Sequence, residues 1–108
     1  MSDLPLHVFL LQFVAGLFLA NGVPHFVNGV SGAPFQTPFA SPPGVGEPSP
    51  VINVLWGFFN LAVGFALLFA FSPKGSGVIV EWAYVGLGAL AMALYLARHF
   101  GRVRSKIR

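Results

Sequence analysis

The sequence predicts an all-α integral membrane protein: three transmembrane helices, the last two a hairpin, with a long Pro/Gly/Phe-rich loop folded on the membrane after the first. Three observations lead there. The first is composition: of 108 residues 56% are hydrophobic and 8% charged, against about 25% charged in a typical soluble domain. Mean hydropathy is +0.77, and a soluble chain this small cannot hide that much apolar surface, because small domains leave much of it exposed. The second is the presence of three apolar runs, each near the roughly 20 residues a helix needs to cross a bilayer. The third is that five of the six basic residues crowd at one end.

The first run, LPLHVFLLQFVAGLFLA, opens at Leu4 and gives a span over about 4–21, with a continuation to about Val30 conceivable beyond a kink at Pro24. It does not read as a signal peptide. The residues before it, MSDLPLH, hold no Lys or Arg, and Phe18-Leu19-Ala20 puts a large residue where a small one is required. The second run is VINVLWGFFNLAVGFALLFAF, 51–71, and the third VIVEWAYVGLGALAMALYLA, 78–97. Between them SPKGSG is too short to join anything but antiparallel neighbours, hence the hairpin. The whole chain, 1–108, is one membrane domain, with a loop over 22–50 and a basic tail over 98–108.

That tail carries Arg98, Arg102, Arg104, Lys106 and Arg108, and the positive-inside rule places it in the cytoplasm, with Lys74 of the short turn on the other side. Each basic residue near an anionic lipid surface contributes about 1 kcal/mol of attraction. With no interleaved aromatics and no folded module to hold it, the tail points to headgroups rather than nucleic acid. Trp56, Trp82, Tyr84 and Tyr95 fall towards span ends, as interfacial aromatics do.

Close helix packing in lipid depends on small residues. Span three offers Gly86, Ala89, Ala93 and Ala97, and span two offers Gly57 and Gly64 with Ala62, Ala66 and Ala70. These stripes serve packing within the chain, or a seam with a second copy or another membrane protein.

Polar residues inside spans need partners. Asn53, Gly57, Asn60 and Gly64 fall on one stripe of span two. If the first helix runs on unbroken, His7, Asn21, His25 and Asn28 share a face of it, while Gln12 lies off that line. The expectation is that the Asn53/Asn60 stripe faces the Asn21–His25–Asn28 end of span one. Those five residues are interhelical glue, worth about 0.6 kcal/mol per hydrogen bond on average, or they line a polar pocket for a headgroup, a quinone or a proton. His25 caps a kinked helix end, or it titrates or binds a ligand, its ordinary pKa being about 6.5.

The loop from Asn21 to Pro50 holds one acidic residue, Glu47, and no basic one. Prolines at 34, 38, 42, 43, 48 and 50 forbid a regular helix there. Phe35 and Phe39 want apolar partners, so the expectation is a lid with both rings plugging the helix ends, where irregular backbone at membrane depth is tolerated only against protein or a wet cavity.

No cofactor is expected. There is no cysteine, which excludes disulfides, thiolate nucleophiles and Cys-ligated clusters. Asp3, Glu47 and Glu81 lie near span ends on different segments, so no carboxylate dyad is indicated. No phosphate loop, Ser-His-Asp arrangement or H-E-x-x-H spacing occurs.

The stretch GLFLANGVPHFVNGVSG, with GLFLANG from Gly16 to Gly22, resembles the first helix and turn of the DoxX-like group of small bacterial membrane proteins, and NLAVGFALLFAF is similar to that group's Gly-containing second helix. The likeness covers about half the chain. It implies a bacterial inner membrane and, for some members, quinone-linked sulfur oxidation. The group's usual four-helix bundle has one helix more than is read here, and no residue of this chain carries that chemistry, so no catalytic role is transferred. Two functions stand: a non-catalytic bundle or accessory subunit that binds lipid or a membrane partner, and a quinone- or proton-handling redox component with its pocket at His25 and the Asn stripe. Transport through an oligomer is more remote, because three spans alone enclose no pathway.

Overall fold

The computed structural model describes residues 4–32 and 49–107, the side chains of 104, 106 and 107 excepted. Three helices follow in order: α1 Leu6–Val30, α2 Pro50–Ala70 and α3 Val78–Ile107. All three are long and apolar enough to cross a membrane, α3 over Val78–Val103. By length and composition this is a multi-pass membrane protein, and among the described residues there is no strand.

The first helix does not stop near residue 21. It runs through Pro24 to Val30 and ends at Ser31 and Gly32, whose φ of +75° is the left-handed turn that glycine takes without strain. Proline breaks helices in water, but in an apolar surround an interrupted backbone finds substitutes within the protein. Just beyond the proline, the Asn28 side chain folds back on its own helix and donates to the Pro24 carbonyl at 2.7 Å. Residues 22–30, expected as the start of the loop, are therefore helical, and the rest of that loop, with Phe35 and Phe39 as its expected plugs, lies outside the described residues. Helix α2 starts on a capping motif: Ser49 Oγ accepts from Ile52 N, with Pro50 at the first helical position. Helix α3 continues past residue 97, so the basic segment is helical through Ile107. Arg98 and Arg102 are exposed on it, Arg104 and Lys106 follow on the same helix, and Arg108 lies outside the described residues.

Helix α1 sits in the middle. It packs antiparallel to α2 and parallel to α3, while α2 and α3 do not approach each other closely. The expected hairpin is thus antiparallel in sequence but opened in space, with α1 laid against both arms. Glycine explains why. A Cβ on Gly57 of α2 would sit 2.8 Å from Phe26 Cα of α1, and one on Gly22 would sit 2.9 Å from the Gly57 carbonyl oxygen. On the other flank, a Cβ on Gly16 would run into the backbone of Val85 and Ala89, and one on Gly88 into the backbone of Phe13. Helix α1 alone carries close-approach positions on two sides, so it takes both neighbours.

The small-residue stripe expected on α3 is placed differently. Gly86, Ala93 and Ala97 are exposed, and a Cβ on Gly86 would meet nothing. The approach face is Val85, Gly88 and Ala89, one register position away. On α2, Gly57 and Gly64 are buried against α1, whereas Ala62, Ala66 and Ala70 are exposed. The outward faces are apolar: Leu55, Phe58, Phe65 and Phe69 on α2, and Ile79, Leu87, Leu90 and Leu94 on α3. Among the described residues the largest fully buried side chains are polar, Gln12, Glu81, Asn53 and Asn60, and His25 is nearly as deeply buried. This inside-out arrangement suits a chain whose solvent is hydrocarbon.

Candidate functional site

Two separate polar clusters occupy the interior, one near each end of the bundle.

The first joins α1 and α2. The helical phase that buries Gly22 and Gly29 also turns Asn21 and His25 towards α2. Asn21 Nδ2 donates to Asn60 Oδ1 at 2.9 Å, and Asn60 Nδ2 donates to the Trp56 carbonyl at 2.8 Å. One turn further, His25 Nδ1 and Asn53 Oδ1 lie 3.0 Å apart, with the ring nitrogen as donor. His25 is 2% exposed, and Asn53 and Asn60 are fully buried. The Trp56 and Phe100 rings stand edge-on to the imidazole at 6.5 and 6.2 Å, so the third helix closes this end through an aromatic side chain. His99 packs on the other side of Phe100, at 5.0 Å between rings.

Four of the five sequence candidates are therefore joined in pairs across the α1–α2 seam. The fifth, Asn28, is half-buried and turned back on its own helix at Pro24. His7 lies at the opposite end of α1, exposed, edge-on to Phe71 at 6.4 Å. Among the described residues no three His, Cys, Asp or Glu side chains group as a metal site.

The second cluster joins all three helices and was not among the sequence candidates. Gln12 Nε2 donates to the Phe71 carbonyl at 2.8 Å and to Glu81 Oε1 at 2.9 Å. Both acceptors take the amide nitrogen's two hydrogens, which fixes the amide orientation. The Phe71 carbonyl is one of those left without a partner at the end of α2, and Gln12 supplies what the helix cannot. Glu81 lies in the first turn of α3, where the helix dipole favours a negative charge, and it is 0% exposed. Its second oxygen, Oε2, and the Gln12 Oε1 have no hydrogen-bond partner among the described residues. Leu4, Val8, Ala70, Phe71, Ser72 and Lys74 form a pocket of about 160 Å³ against Glu81.

Sequence reasoning set Glu81 aside as a span-end residue and Gln12 as lying off the His7–His25 line. Each carried a signal: VIVEWAY places a lone carboxylate within an apolar run, and Gln12 interrupts another. A buried acid in lipid needs a donor, and of the interior polar residues of span one only Gln12 lies near that end.

Compared with known protein families, with curated proteins and with solved structures, the chain matches none.

Proposed function

We propose that this chain is a small non-catalytic integral membrane protein, a helical bundle or accessory subunit that binds lipid or a membrane partner through its outer faces. The observation that carries this reading is the division of labour between interior and exterior. On the α1–α2 seam Asn21 pairs with Asn60 and His25 with Asn53, as interhelical glue does. The exterior is apolar and includes a groove of about 550 Å³ between α1 and α3, lined by Ala20, Val23, Pro24, Ala89, Leu90 and Ala93. Such a groove suits an acyl chain or a partner's helix.

In this reading the protein sits in a bacterial inner membrane, as its resemblance to the DoxX-like group implies. Its basic α3 end faces the cytoplasm and anionic headgroups, with the SPKGSG turn outside. Orientation is directly testable, because a chain without cysteine gives clean single-cysteine labels. Ser105→Cys is expected to be shielded from an impermeant maleimide in intact cells and Ser76→Cys to be labelled; the reverse pattern overturns the assignment.

A second reading, a quinone- or proton-handling component, is favoured by one observation: His25 is buried between aromatic edges and tied to Asn53. Native mass spectrometry from nanodiscs separates the two. A bare monomer or homodimer with ordinary lipids supports the accessory role. A stoichiometric quinone or haem that leaves on His25→Ala supports the second reading and overturns the first.

A further inference from the structure

The pocket at Glu81 has features that the α1–α2 seam lacks. It brings together Glu81, whose buried Oε2 has no hydrogen-bond partner among the described residues, and an exposed cation, Lys74, lining the same space, while Gln12 is bonded to Glu81 and is not part of the lining. Among the described residues Glu81 and Lys74 form no ion pair. Bare buried acceptors are costly, and a carboxylate the more so. Gln12 has already committed both its N–H groups, to Phe71 and Glu81. Among the described residues no further donor reaches Glu81 Oε2, so what satisfies it must bring an N–H or O–H donor.

The available space and the donor set narrow the ligand. About 160 Å³ is several times the roughly 30 Å³ that one water occupies in the liquid. A hard metal cation asks for about six oxygens, and the lining offers one bare carboxyl oxygen. A primary ammonium presents N–H donors and a positive charge, which matches a bare acceptor that belongs to a carboxyl group. The walls Leu4, Val8, Ala70 and Phe71 are apolar, and Lys74 marks the position of a matching anion. The pocket lies at one end of the spans, at the level where headgroups meet hydrocarbon.

We propose that this pocket binds a lipid headgroup carrying a primary ammonium beside a phosphate: the ammonium against Glu81, the phosphate against Lys74, and the adjoining hydrocarbon along Leu4 and Val8. The proposal rests on the membrane reading above and adds headgroup selectivity to it.

The test uses the full chain in nanodiscs of equal phosphatidylethanolamine and phosphatidylcholine, read by native mass spectrometry. Ethanolamine lipid is expected to be retained over choline lipid by about tenfold or more, the scale of one hydrogen bond to a charged group. Stepwise N-methylation of the lipid amine removes donors without touching the protein, and retention is expected to fall with each methyl. Glu81→Gln, which keeps the shape and the hydrogen bond from Gln12, brings the ratio towards one. Lys74→Gln lowers retention of both lipids. Equal retention across the methylation series, or an unchanged ratio in Glu81→Gln, overturns the proposal and leaves the pocket to water or a proton. Displacement of the lipid by soluble glycerophosphoethanolamine at equal concentration overturns its lipid part and reassigns the site to a free zwitterion. Failure of the chain to enter nanodiscs at all would instead sink the membrane reading.

Discussion

The two ends of this bundle bury polar side chains in opposite ways. At the His25 end, neutral groups pair with neutral groups: an amide with an amide, an imidazole with an amide, and the spare amide hydrogens with helix carbonyls. At the Glu81 end, a single amide serves a carboxylate and a helix terminus together, and two oxygens are left over. The first pattern is what a bundle needs to hold two helices in register. The second falls short of that need in donors. Polar groups inside a membrane protein are thus not one class. Pairing that closes on itself indicates structure, and pairing that leaves an acid half-satisfied indicates a site.

Both ends depend on the glycine crossings, so the largest effects are expected there. Gly88→Leu drives a side chain into the backbone of Phe13, which no rotamer change relieves. Its cost is expected to exceed the roughly 1–3 kcal/mol of ordinary overpacking, seen as loss of the folded bundle in denaturant titration from mild detergent. Gly86→Leu, two residues away in open space, is the matched control and is expected to unfold at the wild-type midpoint. Equal damage from the two would move the α1–α3 contact to the other face.

Next is the acidic end. Gln12→Leu strips the donor from both the Phe71 carbonyl and Glu81, and at about 1–3 kcal/mol for each stranded group it is expected to cost more than about 2 kcal/mol. Adding Glu81→Leu should recover part of that loss, since an apolar pair strands only the Phe71 carbonyl. A double mutant no more stable than Gln12→Leu would mean that Glu81 is not strained by losing its donor.

The smallest effects are expected at the neutral end. Asn60→Ala and Asn21→Ala are expected to show a coupling energy of about 0.6 kcal/mol, with about 1.7 as the upper end for such bonds. A coupling well above that range would bring the two ends closer in kind and would weigh against simple glue.

Parts of this architecture were legible residue by residue. Asn53, Gly57, Asn60 and Gly64 are spaced so that they must share a face, and two asparagines beside two glycines in an apolar helix mark the face that meets a neighbour. The same arithmetic on α1, carried past Pro24, aligns Asn21 and His25 with that stripe. It misled where the helix is apolar all round. On α3, Gly86 and Gly88 are equally good approach points by sequence, since the flanking residues are apolar at either phase, and only the partner's backbone selects between them.

The amino-acid sequence by itself determined that the chain is helical and apolar, with three segments long enough to cross a membrane. That follows from transfer of side chains into hydrocarbon, a property that residues carry individually. The tertiary structure decided that α1 lies between the other two, that Gly88 rather than Gly86 makes the crossing, and that Gln12 meets Glu81 across a separation of 69 residues. Such choices depend on how two surfaces fit and on which donor lies within reach of which acceptor, and neither is a property of one segment. Lipid gives little help in making them, because hydrocarbon accepts any apolar face equally well and leaves the selection to close packing and hydrogen bonds.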